Sequence, residues 1–266
     1  MKHIQKIILS FLIALFAKPQ LHAVADMYFS VPTGTGTYSG DNTATGKAYK
    51  TGAGTAVFSG ANTFGQVEID AGTVSVGSAS NLGNPTATIF NGTSVILKIT
   101  ADMNTGALTM TTAGTVQVQS GVTATLNTAP SGSNTLSVTG TGAVAVTSAL
   151  AASTTPIAVS GSGTTLRVSG SGVLSSGIAP SITSGSILQL GTSSGTVASG
   201  AVTNANIASG GILYIAPGVS APSNVLTTPT IHNGAIIQPI TPTRSGSLNM
   251  NRSKRIDVTF LPVKQV

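Results

Sequence analysis

Residues 56–84 read AVFSGANTFGQVEIDAGTVSVGSASNLGN, and no other stretch constrains the fold of this chain as tightly. Two alternating runs, Val67-Glu68-Ile69 and Val74-Ser75-Val76, stand between corners at Ser59-Gly60-Ala61-Asn62 and Asn81-Leu82-Gly83-Asn84. Successive residues of a strand point to opposite faces, so each run offers one apolar and one polar side. Gly and Asn accept the left-handed backbone of a tight corner. Strand and corner alternating at this spacing is the plan of one coil of a β-solenoid.

Similar blocks recur downstream, centred near 108 and 116, 136 and 144, and 158 and 166, three pairs that share a spacing of eight. One member of each unit falls near 108, 136, 158, 188, 213 and 236, in steps of 28, 22, 30, 25 and 23 residues. Their mean, near 26, lies inside the range of solenoid repeats. A β-sandwich also alternates in short strands and is the structural rival. Against it, the longest plain candidate is residues 94–100, and nearly every block begins at a Gly-Thr, Gly-Ala or Gly-Gly corner. A lone coil buries too few apolar side chains to offset its backbone entropy. The expected fold is therefore all-β, with coils stacked by parallel ladders around a narrow core of Val, Ile, Leu and Ala.

Composition narrows the class further. Only 7% of residues are charged, Gly contributes 32, and Trp and Cys are absent, so no thiol chemistry or disulfide is available. Glycine-rich linkers share this composition, but a 41% hydrophobic content in alternating blocks argues for a packed structure. The formal charge of +6 comes from the ends: Lys2, Lys6 and Lys18 at one, and Arg244, Arg252, Lys254, Arg255 and Lys264 against Asp257 at the other. Between residues 26 and 243, Lys47, Lys50, Lys98 and Arg167 face Asp26, Asp41, Glu68, Asp70 and Asp102, a net of −1. A nearly neutral body is not a nucleic-acid-binding surface, and no nucleic acid is expected as a partner.

The chain divides into four segments. Residues 1–25 have a basic start, an apolar run over 7–17 and Ala23-Val24-Ala25, the plan of a secretory signal peptide cleaved after Ala25. Residues 26–50, with Tyr28, Phe29, Tyr38 and Tyr49, read as an N-terminal cap or linker. Residues 51–243 form the β-helix domain and 244–266 a basic C-terminal tail.

SGANTF at residues 59–64, followed by AGTVSVGSASNLG at 71–83, resembles the autotransporter-associated β-strand repeat of bacterial passenger domains. The resemblance implies a right-handed parallel β-helix, exported to the cell surface or secreted. It also implies a non-catalytic structural or adhesin-like role, with a host or surface glycan or protein as partner. An autotransporter continues into a membrane barrel, whereas residues 256–261 supply a single amphipathic strand candidate. A barrel needs about eight or more, so a separate outer-membrane translocator is expected, unless the chain is a truncated fragment of a larger autotransporter.

No catalytic, cofactor-binding or metal site is assigned, and no cofactor is expected. Residues 103–240 hold one charged side chain, Arg167, and one imidazole, His232. Glu68 and Asp70 are two apart, so on a regular strand they share a face. A solvent-facing pair is the plain reading. An exported carbohydrate-active enzyme with these two carboxylates is the alternative. Gly191-Thr192-Ser193-Ser194-Gly195 matches G-x-S-x-G, but His232 precedes Asp257, the reverse of the order that motif needs. Contact with a partner is expected to run through exposed Thr, Ser and Asn rows.

Overall fold

The computed structural model describes residues 25–239 apart from 44, 84–86, 151–152, 193–196, 199–200 and 217–224. Residues 1–24 of the expected signal peptide, the basic tail and Ser193 of the G-x-S-x-G match lie outside the described residues.

The chain winds into a β-solenoid of about nine turns. Coil 1 holds β1 (Met27–Ser30) and β2 (Thr35–Tyr38), and coil 2 holds β3 (Lys47–Thr51) and β4 (Thr55–Phe58). Coil 3 adds β5 (Gln66–Ile69), β6 (Thr73–Val76) and a one-turn helix, α1 (Ala79–Leu82). Coil 4 contains β7 (Ala87–Phe90), β8 (Val95–Ile99) and β9 (Met103–Asn104), and coil 5 contains β10 (Leu108–Met110), β11 (Gly114–Val118) and β12 (Thr123–Leu126). Coil 6 comprises β13 (Leu136–Gly140), β14 (Ala143–Val146) and β15 (Ala149–Leu150). Coil 7 comprises β16 (Ile157–Val159), β17 (Thr165–Val168) and β18 (Val173–Leu174). Coil 8 comprises β19 (Ser181–Ile182), β20 (Ile187–Leu190) and β21 (Val202–Thr203), and coil 9 comprises β22 (Asn206–Ile207), β23 (Ile212–Ile215) and β24 (Leu226–Thr227). β25 (Thr230–Ile231) and β26 (Ile236–Pro239) follow.

All the strand pairs are parallel. Sheet 1 is β1-β3-β5-β7-β10, and sheet 2 runs the whole length from β2 to β25 in ten strands. Sheet 3 takes β9, β12, β14, β17, β20, β23 and β26, and sheet 4 takes β15, β18, β21 and β24. Sheet 1 thus covers the first five coils, and sheets 3 and 4 replace it further along. Residues 26–50, read from sequence as a cap or linker, supply both strands of coil 1 and most of β3.

The register also resets the repeat length. In sheet 2, Thr55 pairs with Thr73, Val95 with Gly114, Gly114 with Leu136 and Ser181 with Asn206. These steps are shorter than the mean near 26 read from the sequence. The difference has a simple origin: the block at 108 is β10 of sheet 1, those at 136 and 158 are β13 and β16 of sheet 2, and those at 188, 213 and 236 belong to sheet 3. Passing from one sheet to the next lengthened the apparent step.

Alternation gives each strand one inward row. In sheet 2 a single column of side chains passes through Ala56, Val74, Leu97, Val116, Val138, Val159, Ile182 and Ile207, each fully or almost fully buried. Sheet 3 adds Ala124, Val144, Leu166, Leu188 and Leu213. Near the N-terminal end the core is aromatic. Phe29 packs edge-on to Phe58 at 4.8 Å and to Tyr38 at 4.9 Å, and Phe64 lies 5.9 Å from Phe58. Such aromatic clusters bury large apolar area in a defined geometry.

The repeat-like motif has a local physical account. Asn62 is buried; its Nδ2 donates to the carbonyl of Asn81 at 2.5 Å, and its Oδ1 accepts from the Nδ2 of Asn42 at 2.6 Å. Asn81 donates through Nδ2 to the Gly60 carbonyl at 3.0 Å and accepts the N–H of Gly77 at 3.0 Å. The three asparagines pin corners of successive coils. Phe64 and Leu82 fill the core beside them. Gly83 closes α1 with φ 80°, and a Cβ there would lie 2.5 Å from the Phe64 nitrogen. Only glycine fits.

Candidate contact surfaces

The outward face of sheet 1 brings together Lys47, Glu68 and Asp70. In register, Tyr28, Tyr49 and Glu68 occupy one outward column. The two tyrosine rings stack at 4.9 Å with an interplanar angle of 9°, and Tyr28 is 71% exposed. Lys47 places its Nζ 2.7 Å from Glu68 Oε2 and 5.2 Å from the Tyr49 ring. The bond to Glu68 holds the Lys47 ammonium above its ordinary pKa. Asn91 Nδ2 donates to Glu68 Oε1 at 2.7 Å and to Asp70 Oδ1 at 3.1 Å.

Glu68 and Asp70 therefore do share a face, as their spacing requires, and one amide bridges them. Lys47 and Asn91 come from coils 2 and 4, so nothing local in residues 66–70 announces them. Their signal is the coil repeat itself: Lys47 lies 21 residues before Glu68 and Asn91 lies 23 after it.

The other carboxylates are pins between coils. Asp26 Oδ1 accepts the backbone N–H of Lys47, Asp41 Oδ1 that of Ala61, and Asp102 Oδ1 that of Thr123. Each reaches the next coil, 20 or 21 residues along. Among the described residues, no three His, Cys, Asp or Glu side chains come together.

Lys50 turns inward. It stands in the column Phe29, Lys50, Ile69, Phe90, at 1% exposure. Its Nζ donates to the carbonyls of Thr51, Gly52 and Ala71 at 2.9, 2.6 and 2.9 Å. Three carbonyl dipoles accept the ammonium, but burial lowers its pKa from the ordinary 10.5.

Further along the stack, Arg167 faces outward on sheet 3 and donates through Nε to Gln189 Oε1 at 3.2 Å. His232 is exposed, its Nε2 2.9 Å from Asn206 Oδ1. They lie on different sheets. Several hydroxyls are committed within the stack. Thr112, Ser153, Thr155, Ser175, Thr183, Ser186 and Thr227 all donate to carbonyls of the preceding coil.

A concave feature lies among the described residues. On sheet 2, across coils 4 to 6, an open depression of about 320 Å³ is lined by Lys98, Gln117, Val118, Gln119, Ser120, Gly140 and Thr141. Gly140 has φ 99°, and a Cβ there would collide with the Val118 carbonyl oxygen. Glycine there lets two coils approach closely beside the depression.

The parallel coils and single internal core define a β-solenoid repeat protein. No protein-family profile matches the chain, and no curated protein or solved structure matches it at a significant level.

Proposed function

We propose that this chain is an exported, non-catalytic β-helix: a structural, passenger-like module that holds a contact surface away from a bacterial cell. The observation that carries the reading is the use to which the carboxylates are put. Asp26, Asp41 and Asp102 hold neighbouring coils, and Glu68 and Asp70 are engaged by Lys47 and Asn91. Acid and base catalysis needs a carboxylate or imidazole presented to substrate. Among the described residues, these carboxylates hold the rod together, which supports the reading. The basic and apolar pattern of residues 1–25 supports export, and the likeness of residues 59–83 to an autotransporter repeat supports the right-handed, surface-displayed form.

The test is fractionation of the native cells with an antibody raised against residues 51–243. The expected signal is a chain lacking residues 1–25 in the medium or on the surface. A band confined to the cytoplasm would end the proposal, and a much larger outer-membrane band would make these residues part of a longer passenger.

A further inference from the structure

We infer that the depression on sheet 2 is a subsite for a carboxylate-bearing saccharide. The inference deepens the reading above, and rests on it, by giving the displayed surface a ligand class.

Among the Lys and Arg side chains of the described residues, Lys98 stands apart. Lys47 is paired with Glu68, Lys50 with three carbonyls, and Arg167 with Gln189. The side chains of Lys98, Gln117, Gln119, Ser120 and Thr141 make no hydrogen bond or ion pair in the described structure. Five polar side chains without a partner inside the described structure thus line one hollow.

The register explains the convergence. Lys98 on β8 pairs with Gln117 on β11, which pairs with Thr139 on β13. Gln119 and Ser120 follow the end of β11, and Thr141 follows the end of β13. Asp102, the acid nearest to Lys98 in the chain, already accepts the N–H of Thr123. Among the described residues, no carboxylate forms an ion pair with the Lys98 ammonium.

The chemistry then selects the ligand. An unpaired ammonium accepts a carboxylate in a charge-assisted hydrogen bond. Two amides and two hydroxyls both donate and accept, which suits the hydroxyl groups of a sugar ring. Val118 is the single apolar lining residue, yet carbon atoms make up much of the exposed lining, which leaves a surface for the C–H face of a sugar ring between its hydroxyls. A peptide strand has no backbone edge to join here, because β8, β11 and β13 each have hydrogen-bonded neighbours on both sides.

The experiment titrates the full chain with an oligogalacturonate and with its methyl ester, followed by calorimetry. Saturable binding of the acid is expected, with affinity about ten-fold lower for the ester and for Lys98→Gln, the scale of one charge-assisted bond. Gln117→Ala should weaken binding further in the Lys98→Gln background, while Lys98→Arg should retain it. Far-UV circular dichroism should be unchanged in each variant, as the side chains of Lys98 and Gln117 make no hydrogen bond or ion pair in the described structure. Equal affinity for acid and ester, undiminished binding in Lys98→Gln, or no saturation at millimolar ligand would overturn the inference. So would equally tight binding of an oligoglutamate, which would move the site from saccharides to acidic peptides. Failure of this titration leaves surface display standing, and a cytoplasmic location leaves the measured binding standing.

Discussion

Coils 1 to 4 and coils 6 to 9 share sheet 2 and its parallel stacking but hold it with different side-chain chemistry. The early coils are pinned by Asp26, Asp41, Asn62, Asn81 and Asp102, and plugged by Phe29, Tyr38, Phe58 and Phe64. The later coils use Ser153, Thr155, Ser175, Thr183 and Ser186, whose hydroxyls donate to the carbonyls one coil back, around aliphatic columns. An asparagine amide both donates and accepts, so Asn62 joins three coils, bonding to Asn42 on one side and Asn81 on the other. A hydroxyl at these corners mostly joins two. The first arrangement concentrates energy in a few residues and the second spreads it thinly.

That contrast can be broken most sharply at the aromatic plug. Phe58→Ala should cost about 3–5 kcal/mol, the usual range for a buried aromatic. Amide exchange should accelerate through coils 1 to 3 while coils 7 to 9 stay protected, because each coil leans on its neighbours. Uniform acceleration along the stack would show that the two halves unfold together.

The corner chemistry gives a smaller contrast. Asn62→Ala removes a buried side chain with partners on both neighbouring coils, for a loss of about 2–3 kcal/mol, against about 1 kcal/mol for Ser186→Ala. Denaturant midpoints of the two variants would settle the ranking, and equal losses would erase the distinction between concentrated and dispersed pinning.

The smallest expected effect is one of pH. Lys50 titrates lower when folded than its ordinary 10.5, so the unfolded chain holds the proton more firmly between the two values. Stability should therefore rise as pH increases through that window up to 10.5. Lys47, raised by Glu68, acts in the opposite sense above its ordinary value. Comparing denaturant midpoints of the wild type and Lys50→Met at neutral pH and near pH 10 isolates the first term. A slope that persists in the variant would assign it elsewhere.

How far the sequence reached follows from the same physics. Alternation located β5, β6, β11, β13, β14, β17, β20 and β23, because an inward Val, Ile or Leu at every second position is a local property. It also placed Glu68 and Asp70 on one face. The two-residue strands β15, β18, β19, β21 and β22 are too short to alternate, and only their pairing with a neighbouring coil defines them. The depression needed the register as well, since Lys98, Gln117 and Thr141 lie far apart along the chain. A usable signal was present in the recurrence of Asn42, Asn62 and Asn81, one coil apart each time. Lys50 was legible too: in Lys47-Ala48-Tyr49-Lys50 it shares its parity with Ala48, and parity alone sends it inside.

Strands in this molecule lie across the rod, and their ladder bonds run along it. Tension applied to the two ends would therefore load the bonds between one pair of coils at a time, as in peeling, instead of shearing many bonds together. Resistance at each step scales with strand length. In sheet 2 the five-residue strands β8, β11 and β13 make the middle of the rod stiff, while the two-residue strands β19, β22 and β25 make its later coils the first to give. Under load the rod would pay out from the later coils, and the segment carrying Lys98 would still be wound.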